Sequence, residues 1–320
     1  MTVVAKYGSG LVRTKVLADP DDGFFTWVRT AGDSRTEPLE APSPAVLDSL
    51  RALEARPADG TGVRCALPRA QDGELRYPQL PGRSSLARLL TLGNPPPHSD
   101  PPAPSPAGRA LDGTETLLHE FGRTLRRLHT TPLPARDTGG YALPPAWRRL
   151  RAWADAPAHG RAGQLHGLVR ALLGTDRWRR VEAWLRELAP GEPLTLVHGA
   201  PSLGKLVPSE RHGTAHVLLA GEDIGFAPRQ WDVGWVVAEL REMRFFAARL
   251  PRPEAGWEEL EEAFLRGYGE TGDTAVGRAA ALRVLLHLLD LSVLVTWDEE
   301  EVRRTVALIA ELMDEQGSGQ

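Results

Sequence analysis

The sequence predicts an α+β protein in which a strand-rich first part is followed by a longer helical part. Short apolar runs separated by turn residues fill roughly the first ninety positions. After residue 110, apolar residues recur at helical spacing over most of the chain. A stretch with seven prolines between residues 94 and 108 separates the two parts, because so many prolines exclude a regular helix or a central strand.

The first part is expected to contain two strand pairs and one helix. Residues 11–18 and 24–30 flank an Asp-Pro-Asp-Asp-Gly turn, which is typical of a hairpin. Residues 63–67 and 74–80 predict a second strand pair around a Gln-Asp-Gly turn. Between the pairs, residues 44–55 place their apolar side chains on one helical face.

The second part is expected to be mainly helical. A stripe of leucine and phenylalanine residues predicts a helix that ends at His129, where Pro132 stops it. Two short apolar runs, 194–197 and 216–219, have the length of strands. Further amphipathic helices are predicted at residues 165–173, 178–188, 231–246, 257–268, 275–296 and 299–313.

The composition argues against several classes of protein. A formal net charge of −4 gives no reason to expect a nucleic-acid or membrane partner. Cys65 is the one cysteine, which excludes an internal disulfide and suits a reducing cytoplasm. Charged residues interrupt the apolar segment 279–297, and the N-terminal segment has no long apolar run, so neither predicts a membrane span or a signal peptide. We therefore expect a cytoplasmic protein.

The most informative segment is LVHGAPSLGKLV at 196–207, followed by VLLAGEDIGFAPRQWDVGWVVAEL at 217–240. Together they resemble the catalytic segment of the aminoglycoside phosphotransferase, choline kinase and homoserine kinase superfamily. There a strand leads to His-Gly-Asp, an Asn follows five residues later, and a second strand ends in Ile-Asp-Trp-Glu. Three further pieces resemble the superfamily in the right order: RYPQLPGRSSLARLL, LLHEFGRTLRRLHTTPLP and AFLRGYG.

The resemblance covers roughly residues 10–315 and implies a bilobal protein-kinase-like fold. It implies a small antiparallel-sheet N-lobe over residues 1–92, a Pro-rich loop over 93–108 and a large, mainly helical C-lobe over 109–320. In the superfamily, the two aspartates and the asparagine of the catalytic segment provide the chemistry of phosphoryl transfer. They orient the attacking hydroxyl and hold the metal ions.

Here the three matching positions are Ala200, Lys205 and Ala220. Ala200 has no group that accepts a proton, and Ala220 has no oxygen ligand for Mg²⁺. Lys205 offers only a cation where an amide oxygen is expected. Counting these three positions alone, the local charge changes from about −2 to about +1, which should repel Mg²⁺. This substitution pattern predicts a pseudokinase of phosphotransferase ancestry, with no cofactor expected and a peptide or protein partner.

Two alternatives remain open at this point. Glu222 or Asp223 could hold a metal in a shifted site, which would give an active ATP- and Mg²⁺-dependent phosphotransferase with Lys205 on the γ-phosphate. The chain could instead bind an anionic metabolite through Lys205. The resemblance further implies that Arg29 or Lys15 anchors a nucleotide.

The resemblance also assigns structural roles. His198 and Asp232 match a framework pair that holds the catalytic loop by hydrogen bonding, and Asp232 could in addition cap the helix from Val233. The nine tryptophans are expected to lie mostly in the core, with an alternative role as interface anchors.

Overall fold

The structure is a computed structural model that describes residues 1–35, 38–54, 62–92, 113–133, 142–156, 159–247, 256–269 and 273–315. The predicted Pro-rich loop at 93–108 lies outside these residues. The N-terminal part contains a five-stranded antiparallel sheet in the order β1-β2-β3-β6-β5. Its strands are β1 Thr2–Gly8, β2 Val12–Ala18, β3 Phe25–Ala31, β5 Arg69–Gln71 and β6 Glu74–Leu80.

The predicted hairpin between β2 and β3 is confirmed. The two strands pair antiparallel from Ala18 opposite Phe25 onwards. Aspartate side chains close the turn: the amide of Phe24 donates to Asp22 Oδ1 at 2.8 Å. Gly23 lies in the left-handed region at φ 68°, where glycine meets no Cβ penalty.

The predicted pairing of residues 63–67 with 74–80 is wrong. Strand β4, Val63–Ala66, pairs in parallel with β9, His216–Leu219, whose other edge carries β8, Leu206–Val207. Strand β5 takes the hairpin position next to β6 instead. Pro68 lies between β4 and β5 and has no amide hydrogen for a ladder, which separates the two strands.

The remaining elements are mostly helical, and the predicted α+β, bilobal fold class is confirmed. They are α1 Pro44–Glu54, α2 Leu86–Leu92, α3 Thr114–His129, α4 Pro145–Asp155, α5 Arg161–Arg186, β7 Thr195–Val197, β10 Gly225–Ala227, α6 Gln230–Phe245, α7 Trp257–Tyr268, α8 Thr274–Leu294 and α9 Glu299–Glu315. The two helices predicted within 165–188 are the two halves of α5, which Gly174 divides with its non-helical φ of 77° and ψ of 167°. None of the described helices is both long and apolar enough to cross a membrane.

The helical part has one continuous apolar core, and most tryptophans belong to it. Six tryptophans of this part are buried: Trp147, Trp153, Trp178, Trp184, Trp231 and Trp257. Trp235 is half-buried and packs against the same core. A second, smaller core joins one face of the antiparallel sheet to β8 and β9. The anchor role is therefore excluded for the six buried rings.

Candidate functional site

The loop after β7 is held in place by Asp232, near the start of α6. The carboxylate accepts the backbone amide of His198 at 2.6 Å and that of Gly199 at 2.9 Å. Trp231 donates its indole N–H to the carbonyl oxygen of Gly199 at 2.8 Å. The predicted capping role of Asp232 is wrong, because α6 begins earlier, at Gln230, and the carboxylate is turned toward the loop.

Asp232 also belongs to a buried chain of side chains. Its Oδ2 lies 3.0 Å from Nε2 of His129, and Nδ1 of His129 lies 2.8 Å from the hydroxyl of Tyr268. These contacts connect the ends of α3 and α7 to the loop at His198. The framework residues therefore form a hydrogen-bonded support in which each member has a partner.

The His198 side chain is fully buried beneath the loop. Its Nε2–H donates to the carbonyl oxygen of Leu219 at 2.9 Å, which leaves Nδ1 as an unprotonated acceptor. Burial, and secondarily the Lys205 ammonium, lowers the pKa of His198 to about 4. The imidazole is therefore neutral at physiological pH and connects the loop to β9.

Ala200 and Ala220 are both buried and have no functional group in the site. The backbone of Ala220 is tied to its neighbours: its amide donates to Ala66 at 3.0 Å, and its carbonyl accepts the hydroxyl of Tyr77 at 3.2 Å. Neither position offers a base or a metal ligand. The turn that follows Ala220 is nevertheless held firmly between β4 and β6.

Four charged side chains meet at this turn, and we call them the cleft cluster: Arg29, Lys205, Glu222 and Asp223. Nη1 of Arg29 lies 2.7 Å from Oε1 of Glu222 and donates to Oε2 at 2.9 Å. The Lys205 ammonium is paired directly with Asp223 and lies 3.9 Å from Glu222. All four side chains are largely buried, with at most 19% of the Asp223 side chain exposed.

The cleft cluster balances its own charge. Burial alone would raise the pKa of Asp223, but Lys205 and then Arg29 hold it far below its usual range. Burial alone would likewise lower the pKa of Arg29, and Glu222 raises it instead. Two cations therefore face two anions. The charge of about +1 expected from the sequence was wrong because it left out Arg29, Glu222 and Asp223.

The predicted nucleotide anchors separate in the structure. Arg29 faces Thr14 across the β2–β3 pair and is buried in the cleft cluster. Lys15 pairs with Val28, lies on the other face of the sheet and is exposed. Because neighbouring residues of a strand point to opposite faces, Lys15 cannot share a site with Arg29. Lys15 therefore lies outside the cleft cluster, and its anchoring role stays a prediction.

Both carboxylates considered for the shifted metal site are engaged in ion pairs. Each of its candidate ligands already has a cationic partner: Arg29 for Glu222 and Lys205 for Asp223. No group of three or more His, Cys, Asp or Glu side chains that could hold a metal ion occurs in the part of the chain that the structure describes. The Lys205 ammonium lies within ion-pair distance of both carboxylates.

Sequence reasoning missed Trp27, which lies two residues before Arg29 and therefore on the same face of β3. Its indole is buried with 1% exposure, and its N–H donates to the carbonyl oxygen of Gly82 at 3.0 Å. The ring also makes an edge contact with Tyr7, at 5.5 Å between centroids. The sequence did contain a signal for Trp27: side chains two residues apart on a strand point to the same face, so Trp27 was expected on the face of Arg29.

Two further close contacts join the antiparallel sheet to the later part of the chain. A Cβ at Gly82 would overlap the carbonyl oxygen of Pro208, so the segment after β6 lies directly on the end of β8. In the β1–β2 turn, a Cβ at Gly10 would lie 3.1 Å from Cβ of Leu294 at the end of α8. The backbone approaches closely at both points, and a larger residue at either glycine would have to displace its neighbour.

Comparison with known proteins identifies the fold. No family model matches the chain, and no curated protein matches it in sequence. Solved structures do match: an amicoumacin kinase in complex with AMP-PNP, Ca²⁺ and Ami superposes with a TM-score of 0.57 at 14% identity, covering 97% of this chain and 88% of that one. The chain has an aminoglycoside-phosphotransferase-like fold.

Two more structures of this fold are similar. A spectinomycin phosphotransferase in complex with ADP and spectinomycin has a TM-score of 0.54 at 10% identity and covers 98% of this chain and 92% of that one. An ethanolamine kinase of Plasmodium vivax has a TM-score of 0.54 at 11% identity, over 98% of this chain and 83% of that one. At these identities the likeness concerns the phosphotransferase fold, which confirms the resemblance read from the motifs at the level of architecture.

Proposed function

We propose that this chain is a pseudokinase: a phosphotransferase-like protein that binds a partner without transferring phosphate. The observation that supports this most is the cleft cluster. Its carboxylates Glu222 and Asp223 are the nearest replacements for the missing metal ligands, and both are neutralised by side chains of the same chain. Seating Mg²⁺ there requires breaking a buried ion pair, which costs about 3–5 kcal/mol when one partner is left alone.

The closed cleft supports the same proposal. The resemblance places a nucleotide beside Arg29, between the sheet and the helical lobe. In this chain Trp27, Tyr77 and Val16 fill that side of the sheet and belong to one apolar core with β8 and β9. A base and phosphates would have to displace these side chains and compete with Glu222 for Arg29. The balanced charge also leaves Lys205 without an excess of positive charge for an anionic metabolite.

For the partner, we propose a peptide or protein, in a natural-product pathway that modifies a ribosomally made peptide. Aminoglycoside-phosphotransferase-like proteins of such systems act on peptide Ser and Thr side chains together with a separate lyase. In this setting the chain would bind the peptide while another protein performs the chemistry. A precursor peptide and a lyase encoded beside the gene are the expected genomic observation.

Nucleotide binding tests the proposal directly. We expect no change in melting temperature with ATP and Mg²⁺ or Mn²⁺, and no transfer of label from γ-labelled ATP to peptides or small alcohols. A nucleotide at 100 times its dissociation constant would stabilise the fold by about 2.7 kcal/mol, which a thermal-shift assay detects easily. Label transfer that disappears in Asp223→Ala would establish the active phosphotransferase with the shifted metal site instead.

A restoring variant tests the assignment of the replaced positions. Ala200→Asp, Lys205→Asn and Ala220→Asp together return oxygen ligands to the site and release Asp223 from its ammonium partner. We expect Mn²⁺ binding, followed by electron paramagnetic resonance, to become at least about tenfold tighter, because hard cations prefer oxygen ligands. Lys15→Asn, on the other face of the sheet, is the matched control. Equal Mn²⁺ affinity in all three proteins would show that the positions are matched incorrectly.

A further inference from the structure

A row of basic side chains crosses the face of the antiparallel sheet that points away from the cleft cluster, which we call the outer face. On β2, Lys15 is exposed on this face, whereas Thr14 and Val16 are buried on the other. Residues directly opposite one another in a sheet point to the same face. The strand registers place five residues opposite one another from β1 to β5: Lys6, Lys15, Val28, Arg76 and Arg69. We call the four basic residues among them the sheet row.

The sheet row has more cations than carboxylate partners. Arg76 pairs with Glu74 at 3.0 Å, and both side chains are partly exposed. Within the described part of the chain, no carboxylate lies within ion-pair distance of Lys6, Lys15 or Arg69. These three residues are exposed. With Glu74 included, the sheet row therefore has a formal charge of +3 on a chain whose formal net charge is −4.

The neighbouring positions on the outer face do not supply the missing anions. Arg13 lies two residues before Lys15 and therefore on the same face, and it pairs with Asp33. Two residues after Lys15, Leu17 lies opposite Val3, so this position has no charge on either strand. The positive charge of the sheet row is therefore not cancelled by the residues beside it.

The pairing of Lys6 with Lys15 is unfavourable within the chain itself. Side chains directly opposite each other on an antiparallel pair have Cβ atoms about 4.5–5.5 Å apart, and like charges at such positions destabilise the sheet. These two residues are two of the three lysines in the chain. A carboxylate that reaches both ammonium groups would replace their repulsion by attraction. The like-charge pair is therefore the observation that indicates an anionic ligand.

The length of the sheet row indicates a ligand with several anions on one chain. Neighbouring strands are about 4.8 Å apart, so the row is about 19 Å long from β1 to β5. An extended peptide covers about 3.3 Å per residue, and about six residues therefore span the row. A single carboxylate or phosphate would reach only one or two of the cations.

The surroundings favour a peptide over a nucleic acid or an anionic membrane. The net charge of −4 opposes the approach of a large polyanion, whereas a short segment meets mainly the local field of the row. Val3 is 46% exposed on the outer face, on the same strand as Lys6. An apolar peptide side chain can cover Val3, and a sugar-phosphate backbone has no group for that contact.

We infer that the sheet row binds an acidic peptide segment that lies extended across the strands. The inference rests on the proposed partner-binding function and specifies the chemistry of the partner. Carboxylate side chains of the segment pair with Lys6, Lys15 and Arg69, and an apolar residue at its end covers Val3. The cleft cluster is on the opposite face and takes no part in this contact.

A pair of hexapeptides tests the inference. The probe is Ac-Val-Glu-Ser-Glu-Ser-Glu-amide, and its twin carries glutamine, the neutral isostere, in place of each glutamate. With a dye on both, we expect fluorescence anisotropy to show binding at least about tenfold tighter for the glutamate peptide. The difference should shrink in about 0.5 M salt, because added ions screen exposed charges. Equal binding of the two peptides would show that the inference is wrong.

Variants assign the binding to the sheet row. Lys6→Gln together with Lys15→Gln should reduce binding of the glutamate peptide to the level of its twin. The urea midpoint of this variant should not fall, because the change removes a like-charge pair. The matched control is Arg179→Gln with Arg303→Gln, which removes two exposed charges from α5 and α9. Equal losses of binding in the two double variants would contradict the assignment.

Further probes separate this inference from other ligands and from the proposed function. A six-nucleotide oligothymidylate and phosphatidylserine-containing vesicles are titrated alongside. If either binds as tightly as the glutamate peptide, the row is a general polyanion surface and the peptide assignment is wrong. The probes contain no ATP, so their failure leaves the thermal-shift and label-transfer results unchanged. Label transfer from ATP with normal binding of the glutamate peptide would reject the pseudokinase proposal while supporting this one.

Discussion

The cleft cluster and a second buried group, Glu242 with Arg283 and His287, both enclose carboxylates within the chain, but they join different parts of it. In the cleft cluster, Arg29 and Lys205 match Glu222 and Asp223 one for one, and the pairing of Arg29 with Glu222 joins the antiparallel sheet to the turn after β9. In the second group, Glu242 of α6 pairs with Arg283 and contacts His287, both of α8, so the group connects two helices. In both groups the carboxylates have partners within the same chain. Burial of charge is therefore not by itself a sign of a binding site; the cleft cluster is informative because Lys205 stands at one of the replaced motif positions.

The largest expected effect breaks the balance of the cleft cluster. Lys205→Met leaves Asp223 buried without its direct partner and should lower the free energy of unfolding by about 3–5 kcal/mol, measured by urea denaturation. Adding Asp223→Leu should recover most of the loss. The control is Arg303→Met, which breaks an exposed pair with Glu299 and should cost less than about 1 kcal/mol. A loss in Lys205→Met no larger than the control would refute the buried pairing.

The second effect concerns pH and the histidine beneath the loop. The pKa of His198 is lowered from 6.5 to about 4, so between these values the unfolded chain binds a proton that the folded chain does not. The wild type therefore keeps its full unfolding free energy above pH 6.5 and loses on the order of 3 kcal/mol of it as the pH falls toward 4. His198→Gln retains a donor for Leu219 and does not titrate.

Denaturation of both proteins from pH 7 to pH 4.5 checks this expectation. As the pH falls, the wild type should steadily lose unfolding free energy relative to His198→Gln. Other histidines with lowered pKa values, His166 and His216, contribute equally to both proteins and cancel. A pH-independent difference would mean that His198 is not held neutral by burial.

The smallest effect tests whether the cleft is closed by Trp27. Trp27→Phe keeps an aromatic ring but removes the hydrogen bond to Gly82, and we expect it to cost about 1–3 kcal/mol. The cleft cluster should stay paired, so nucleotide should still not bind. If instead ATP stabilises Trp27→Phe in a thermal-shift assay, the indole alone excludes the nucleotide, and the ion pairs of the cleft cluster contribute little to that exclusion.

Much of the fold was predictable because its signals are local. The hairpin turn contains aspartates and a glycine that cap it, and helices such as α7 and α9 show apolar residues at helical spacing over several turns. The partner of β4 was not predictable from local pattern, since Val63–Ala66 joins a strand that lies far along the chain. Strand propensity indicates that a strand forms but not which strand it joins.

The candidate site shows the same limit. The replaced positions Ala200, Lys205 and Ala220 were found from motif spacing alone. Their surroundings were not, because the pairing of Arg29 with Glu222 joins residues 193 positions apart and depends on the register of β3. Charge counted over the three motif positions alone therefore gave about +1 where the structure has a balanced cluster. The pairing of Glu242 with Arg283 was missed for the same reason, because it joins two helices with no shared motif.

The parallel pairing of β4 with β9 has a consequence for synthesis on the ribosome. Strand β9 leaves the exit tunnel about 150 residues after β4. At about 5–20 residues per second, β4 waits on the order of 10–30 s for its partner. During that interval its buried residues, Val63 and Cys65, have no sheet to join. We therefore expect the nascent N-terminal segment to be prone to aggregation until the later strand has been made.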